Sequence, residues 1–207
     1  SDLQVLQHLP ANRFVLGTDV KAHYSSIDHF LLLDRLAVHI KEKPVLNLIG
    51  QYLRRMAERG GEFFEYEQGI SLGCPLSPLM GAFFLHELDE RMERNRLFYV
   101  RFMDDILVLA PTRWTLRRAV KAVNAVLGSL RLEKHPDKTF IGRIEKGFDF
   151  LGYHFGPEGL SVAKKTIENF VARAIRLYEQ EPGEACTSAR LGLYLRRWVK
   201  RARAGFG

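Results

Sequence analysis

Three aspartates are the residues of this sequence best suited to chemistry. Asp19 ends the apolar segment RFVLGTD, and Asp104 and Asp105 stand side by side between short apolar runs at 97–103 and 106–110. Adjacent carboxylates repel each other, and a divalent cation with a preference for hard oxygen ligands, Mg²⁺ or Mn²⁺, relieves that repulsion. If their strands pair, the acids would hold two ions about 4 Å apart, an arrangement that catalyses in-line phosphoryl transfer. A solvated Asp-rich turn is the simpler alternative.

The hydrophobic pattern predicts the elements that would position these acids. Short apolar runs predict a strand at 13–19 and a hairpin over 97–110 with the acid pair at its turn. Apolar residues at helical spacing predict helices at 28–40, 44–59, 77–95, 112–130, 164–180 and 190–205, and further strands are expected at 138–144 and 148–155. This order predicts an α+β fold in which helices pack against an antiparallel sheet.

Composition limits the classes of function. The chain has 207 residues, 46% of them hydrophobic, and a formal net charge of +7, which favours a polyanionic partner. Its two cysteines, Cys74 and Cys186, are far apart in sequence and indicate neither a zinc site nor a disulfide framework. Without an apolar stretch long enough to span a bilayer or a signal pattern, the sequence predicts no membrane partner and a cytoplasmic setting.

Five sequence motifs resemble, in order and in spacing, those of reverse transcriptases of the group II intron and retron-like kind. They are DVKAHYSSIDH at 19–29, GISLGCPLSPLMGAFFLHELD at 69–89, FMDD at 102–105, LEKHPDKT at 132–139 and FDFLGYHF at 148–155. The resemblance implies a polymerase palm over 1–160 and a helical, thumb-like segment over 161–207. It also implies RNA-templated DNA synthesis from deoxynucleoside triphosphates on a DNA or RNA primer.

The resemblance gives the acids their expected roles. Asp19 and Asp104 would be the main ligands of two Mg²⁺ (or Mn²⁺) ions, with Asp105 as the third carboxylate and the backbone carbonyl of Val20 as a further ligand. Lys138 occupies the position of a lysine near the outgoing pyrophosphate, where it could act as a general acid. A solvated charge is the alternative for this lysine.

Other motif residues would shape the nucleotide pocket. By its offset from Asp19, Tyr24 would be the steric gate that excludes a ribonucleotide's 2′-hydroxyl; an ordinary core aromatic is the alternative. Gly73, Ser77 and Pro78 would form the floor beneath the incoming nucleotide and the template base. Leu72 stands where the family usually has a glutamine beside the nucleotide, which puts substrate handling in question.

Two later regions would hold the nucleic acid. Phe150, Leu151 and Gly152 correspond to the primer grip, a role compatible with ordinary packing of a hairpin. The basic residues that would track the duplex backbone are Arg196, Arg197, Lys200 and Arg201. Trp198 lies among them, and packing in a core is favoured over stacking on a base.

Only eighteen residues precede Asp19, whereas the family's fingers precede this motif and grip the triphosphate. We therefore expect an upstream fingers segment or a partner protein to complete the nucleotide site. Two other functions stay open: an RNA-binding, maturase-like module, and template-independent or protein-primed DNA synthesis in a defence system.

Overall fold

The computed structural model describes residues 2–54, 56–59, 62–71, 73–179 and 184–203. The helices are α1 Asp2–His8, α2 His23–Ser26, α3 His29–His39, α4 Lys43–Leu53, α5 Ser77–Phe84, α6 His86–Arg94, α7 Arg113–Ser129, α8 Lys164–Glu179 and α9 Glu184–Arg203. The strands are β1 Phe14–Asp19, β2 Met56–Arg59, β3 Glu62–Glu65, β4 Phe98–Phe102, β5 Asp105–Ala110, β6 Phe140–Arg143, β7 Phe148–Phe150, β8 Tyr153–Gly156 and β9 Gly159–Val162. Short 3₁₀ turns cover Leu9–Ala11, Pro136–Lys138 and Ile144–Lys146.

The central sheet is antiparallel, with the strand order β4-β5-β1-β6. Strand β1 lies in its interior, which explains why its sequence is apolar almost throughout. Its register with β5 places Asp19 directly opposite Asp105. The predicted pairing of the first acid's strand with the hairpin is confirmed, and the expected α+β class with it.

Alternation along β1 and β5 divides the core into two layers. Leu16, Ile106 and Val108 face the layer that includes helices α3 to α7. Leu107 and Leu109 face the opposite layer, which is built from α1 and the β7-β8-β9 sheet. All five are fully buried, and each such side chain contributes roughly 1.5–3 kcal/mol through burial. The sheet is therefore held from both sides.

The helices expected from 28 and from 112 begin at His29 and Arg113, and a side chain caps each start. The side chain of Asp28 accepts a hydrogen bond from the Leu31 amide at 3.0 Å, so it caps α3. Thr112 caps α7 in the same way, accepting from the Thr115 amide at 3.2 Å. Arg131 also pairs with Asp28 at 2.8 Å, which ties the end of α7 to the start of α3.

Three predicted boundaries are wrong. The helix expected over 44–59 ends at Leu53, and 56–59 instead forms a strand paired with β3, because tertiary pairing overrides local periodicity. The helix expected over 77–95 breaks at Leu85, where the change of direction lets α5 and α6 both pack on the core. The single strand expected over 148–155 from its hydrophobic pattern is instead a hairpin, the form that the resemblance implies, since a tight turn separates β7 from β8.

The last two described helices pack against each other. The ring of Phe170 in α8 stacks on Trp198 in α9 with 4.1 Å between ring centroids. Trp198 is therefore a packing residue, as expected. Near the end of α9, the Ala202 carbonyl accepts a hydrogen bond from the Tyr153 hydroxyl at 3.3 Å, which joins this helix to the β8 strand. Within the described ranges, no helix combines the length and apolar character needed to cross a bilayer.

Candidate active site

Main-chain hydrogen bonds hold the acidic end of the sheet together. Asp19 is only 5% exposed, and its carbonyl oxygen accepts from the His135 amide at 2.7 Å. The Val20 amide donates to the Asp104 carbonyl oxygen at 3.2 Å. Main-chain hydrogen bonds therefore connect the end of β1 with the β4-β5 turn and with the segment before Lys138. Of the residues expected around the metals, these bonds join Asp19, Val20 and Asp104.

The turn that carries the acid pair has an unusual backbone. Phe102 and Asp105 pair across the hairpin, which leaves Met103 and Asp104 as a two-residue turn. Met103 has φ +55°, in the left-handed region that residues with a side chain rarely adopt. Neighbouring contacts must compensate for this conformation.

Arg101 makes those contacts, although sequence reasoning gave it no role. Its guanidinium donates to the Met103 carbonyl at 2.9 Å, to the Ala82 carbonyl at 3.3 Å and, by two nitrogens, to the Asp89 carboxylate. Tyr99 donates to the same carboxylate at 2.8 Å. The turn is thus anchored to α5 and α6. The available signal was the Tyr-x-Arg spacing, which puts both side chains on one face of β4.

Charge and burial explain the pKa shifts in this network. Burial lowers the pKa of Arg101, but the hydrogen bonds and charge of Asp89 outweigh it, so the pKa is raised overall. The pKa of Tyr99 is raised by burial and by the negative charge of Asp89. Both side chains keep their protons at neutral pH, as their hydrogen bonds to Asp89 require.

The negative charges of the candidate site repel one another, which destabilises the ionised form of Asp105. Burial, followed by the charges of Asp19 and Asp104, raises the pKa of Asp105. Lys138 partly offsets this effect, and its ammonium group contacts the Asp19 carboxylate. The hydrogen bond to Asp19 in turn raises the pKa of Lys138. The ammonium group of Lys138 therefore already places a positive charge beside these acids.

These features fit a divalent cation chemically. The side chains offer hard oxygen ligands only, and their mutual repulsion is the kind that a cation relieves. As they stand, however, no three His, Cys, Asp or Glu side chains of the described residues form a ready-made metal cluster. The ammonium of Lys138 contacts one of the carboxylates instead. Metal binding would require this lysine to move aside.

A buried histidine beside the acids was also missed by sequence reasoning. The His23 ring donates through Nε2 to the Gly81 carbonyl at 3.2 Å, and burial lowers its pKa, so the ring is neutral at pH 7. The half-buried ring of Tyr24 packs beside it at 5.2 Å between centroids. A Cβ at position 81 would lie 3.1 Å from the tyrosine ring, which explains the glycine there.

The predicted nucleotide floor leads into α5. Gly73 has φ +86°, a conformation that glycine adopts without strain. The hydroxyl of Ser77 is buried, contacts the Ser71 carbonyl and lies 3.0 Å from the Tyr52 hydroxyl. Pro78 follows in the first turn of the helix, where its missing N–H costs nothing. Leu72 lies outside the described residues.

The predicted primer-grip residues form the turn of the β7-β8 hairpin. Leu151 and Gly152 have φ +49° and +88°, the signs of a type I′ turn, and the preceding Phe150 is buried. The Gly152 carbonyl accepts from the Ala163 amide and from the Thr166 hydroxyl, both at 3.0 Å. This turn is therefore fastened to the start of α8.

A groove of about 830 Å³ joins the acids to this turn. Asp105 and Lys138 line one part, and Leu151, Gly152 and Thr166 line another. The structure thus brings together two motifs that are distant in sequence. On α9, the side chains of Arg196, Arg197 and Lys200 are exposed. The side chain of Arg201 is outside the described part of the structure.

The family model described as "Reverse transcriptase (RNA-dependent DNA polymerase)" matches residues 1–155. The chain belongs to the reverse transcriptase family. This match covers the acids, the predicted nucleotide floor and the predicted primer grip.

Several curated proteins are similar in sequence to part of this chain. Protein YkfC of Escherichia coli K12 is 23% identical over 68% of this chain and 46% of its own length. The group II intron-encoded protein LtrA of Lactococcus lactis is 32% identical over 39% of this chain and 13% of its own length. The Pol polyprotein of the R2 retrotransposable element of Nasonia vitripennis is 27% identical over 60% of the chain. The chain spans less than half the length of these relatives.

Solved telomerase structures share the fold. Telomerase of Candida tropicalis, in complex with a telomeric RNA fragment, has a TM-score of 0.64 at 11% identity and covers 99% of this chain and 42% of its own. Apo telomerase of the same organism, truncated from the C-terminal domain, has a TM-score of 0.60 over 78% of this chain. The α+β architecture of this reverse transcriptase chain is therefore shared with telomerase despite low sequence identity.

Proposed function

We propose that this chain is the palm and the start of the thumb of an RNA-directed DNA polymerase. In this reaction a primer 3′-hydroxyl attacks the α-phosphate of a deoxynucleoside triphosphate, and pyrophosphate leaves. The observation that carries the proposal is the groove beside the paired acids Asp19 and Asp105, because Leu151 and Gly152 of the predicted primer grip line the same groove. Membership of the reverse transcriptase family supports the reaction class.

The acids would hold the catalytic ions. Asp19, Asp104, Asp105 and the carbonyl of Val20 are the proposed ligands of two Mg²⁺ ions, with Mn²⁺ as a substitute. When bound, such ions activate the attacking hydroxyl and stabilise charge on the leaving oxygen. The protein's own contribution is to hold the ligands in position before substrate arrives, through the main-chain bond between Val20 and Asp104 and the one between Asp19 and His135.

Lys138 is the proposed proton donor to pyrophosphate. Its raised pKa keeps it protonated at neutral pH, and its side chain is about half exposed. In the structure it is paired with Asp19, so it becomes available only after another cation replaces it there. Metal loading and release of the lysine are therefore coupled steps in this proposal.

Tyr24 is the proposed gate against ribonucleotides, and Gly73, Ser77 and Pro78 form the proposed nucleotide floor. The gate is supported by the packing of Tyr24 against Gly81 of α5, which orients its half-buried ring. A rigid ring can exclude a 2′-hydroxyl by contact alone. The effect of Leu72 on substrate handling stays a prediction.

The nucleic-acid partners are an RNA template and a DNA or RNA primer. We propose that residues 1–160 form the palm and 161–207 the start of the thumb. Phe150, Leu151 and Gly152 would contact the primer mainly by backbone. The exposed side chains of Arg196, Arg197 and Lys200 support a role in binding phosphates, and the same role is proposed for Arg201. A fingers segment or a partner protein would complete the triphosphate site.

Primer extension on an RNA template with deoxynucleotides and Mg²⁺ tests the proposal. We would compare this chain with a version carrying the upstream segment of its reading frame, each with and without Asp104→Ala. Extension that requires Asp104 supports the polymerase, and extension only in the longer version supports the need for fingers. RNA binding without extension by the longer version would instead favour the maturase-like function.

The gate has a separate test. Tyr24→Ala should increase incorporation of ribonucleotides relative to deoxynucleotides by about 10-fold or more, because the substitution opens space for the 2′-hydroxyl. Tyr24→Phe is the matched control and should keep the selectivity of the native protein, since the ring remains. Unchanged sugar selectivity in Tyr24→Ala would contradict the gate assignment.

A further inference from the structure

A second, strongly basic pocket lies at the end of the sheet opposite the acids. It measures about 420 Å³ and occupies the space between α7 and the edge strand β6. Four cationic side chains line it, Arg113, Arg117, Arg143 and Lys146, around apolar residues that include Leu116 and Ile141. Phe14 and Asp19 are at opposite ends of β1, which separates the pocket from the acids by about 17 Å.

Helical and strand periodicity build this pocket. Arg113, Leu116 and Arg117 are spaced so that they share one face of α7. On β6, Ile141 and Arg143 are the exposed, alternating positions, and Arg143 stands opposite Phe14 of β1. The result is an apolar floor surrounded by a cationic rim.

The positive charge of the rim is largely uncompensated. In the described part of the chain, no carboxylate lies within 4.0 Å of Arg113, Arg117 or Lys146. Arg143 reaches only Glu145, at 3.9 Å, and both side chains are exposed. Exposed ion pairs of this kind contribute little. The pocket therefore presents a concentrated positive potential.

An exposed tryptophan stands next to the rim. Trp114 is 74% exposed, and the guanidinium of Arg117 lies 5.1 Å from the centre of its ring. A single exposed aromatic side chain is ordinary, so Trp114 is informative only because a cation and a basic pocket adjoin it. Flat aromatic rings beside cations are the arrangement that binds single-stranded nucleic acid, because bases stack on the ring while the cations contact phosphates.

We propose that this pocket, with Trp114, is a second nucleic-acid site that binds a single-stranded segment. Phosphates would contact Arg113, Arg117, Arg143 and Lys146, one base would enter the apolar floor, and a neighbouring base would stack on Trp114. A single strand is favoured over a duplex because the floor and the indole require exposed base faces. The site does not depend on polymerase activity, and it would hold RNA away from the reaction centre.

Tryptophan fluorescence tests this site locally. The chain has two tryptophans, so Trp198→Phe leaves Trp114 as the single reporter and preserves an aromatic ring on Phe170. Titration of the full chain with a single-stranded RNA of about ten nucleotides should quench Trp114. Arg113→Gln with Arg143→Gln should weaken the quenching affinity about 10-fold. The slope of log K against log salt concentration should become less steep by about 1.4, because two phosphate contacts are lost.

A charge-matched control is available away from the pocket and from the face of α7 that carries Trp114. Lys41 and Lys43 are exposed near the start of α4 and do not line the pocket, so Lys41→Gln with Lys43→Gln removes the same charge. The affinity of this control variant for the single-stranded RNA should lie within about threefold of the affinity of the reporter protein. Equal weakening in both double variants, or no quenching at all, would overturn the proposal.

Two competitor ligands identify what the site binds. Adenosine monophosphate should quench Trp114 far more weakly than the single-stranded RNA does at the same nucleotide concentration, because the mononucleotide contacts one phosphate position. A polyglutamate peptide of equal charge should also quench weakly, since it has no base to stack. Equal quenching by either competitor would contradict a single-strand site.

Discussion

The two ends of strand β1 use charge in opposite ways. At one end Asp19 is buried, opposes Asp105 across the sheet and contacts a lysine, with the main chain bonded on both sides. At the other end, near Phe14, the arginines are exposed, and the described residues offer them one ionic partner, Glu145, which lies near Arg143. The acidic end is rigid and electrostatically unfavourable by itself, whereas the basic end is open and adaptable.

This difference reflects two physical requirements. Groups that catalyse must be held within a fraction of an ångström, and burial with main-chain bonding achieves this at the cost of repulsion between carboxylates. Groups that bind a flexible polyanion need reach rather than fixed geometry, and long exposed side chains supply it. We infer that the acidic end is specialised for chemistry and the basic end for holding a strand.

Replacing one carboxylate oxygen of Asp19 by an amide nitrogen should have the largest effect of these changes. In the protein that carries the upstream segment, Asp19→Asn should reduce primer extension by roughly 10³-fold or more, because metal stabilisation of the transition state amounts to several kcal/mol. By comparison, Arg143→Gln at the basic end should weaken single-strand binding only a few-fold, as one phosphate contact is lost. Comparable losses in the two assays would remove the distinction between the ends.

Arg101→Ala should rank next, through loss of the support for the acid turn. Its side chain is 11% exposed and its guanidinium is bonded to Asp89, so its removal leaves a poorly solvated carboxylate and should cost about 3 kcal/mol of stability. Urea denaturation measures this loss. Arg94→Ala is the control: its pair with Glu90 is exposed, and we expect at most about 0.5 kcal/mol. Similar costs for both would show that the turn does not depend on Arg101.

Gly152→Ala should have a smaller effect. The residue has φ +88°, and an added Cβ would lie 3.2 Å from the Thr166 hydroxyl, so we expect a loss of about 1–2 kcal/mol. Thermal unfolding gives the stability, and the KM for primer reports the turn's proposed contact. Gly128→Ala is a suitable comparison, because nothing lies within 4 Å and a helical position favours alanine. A neutral result at Gly152 would argue against a strained turn.

Asp105→Asn should produce the smallest change, and in the stabilising direction. Because the folded-state pKa of Asp105 is raised, the folded protein binds this proton more tightly, and stability falls as pH rises above the ordinary value of 3.8. In EDTA at pH 7, removal of the cross-strand repulsion should add up to about 1 kcal/mol, or about 2–4 °C in Tm. In the Asp105→Asn variant, stability should also depend less on pH in this acid range. A lower Tm would contradict mutual repulsion at the site.

Local sequence signals predicted much of the fold. The strand at β1, the acid hairpin and the starts of α3 and α7 depend on neighbouring residues, whose preferences are readable from a short window. The errors occurred where tertiary contacts decide. Residues 56–59 continue a helical pattern but pair as a strand, and Leu85 interrupts a pattern that looks continuous.

The sequence by itself determined which chemistry is available, because three aspartates in apolar surroundings and the order of the motifs are properties of residue type and spacing. The tertiary structure decided how these groups meet. It placed Asp19 opposite Asp105, brought Lys138 onto Asp19 and built the pocket between α7 and β6. Strand register and helix packing join residues that are distant in the chain, and they depend on burial of the whole core rather than on any local signal.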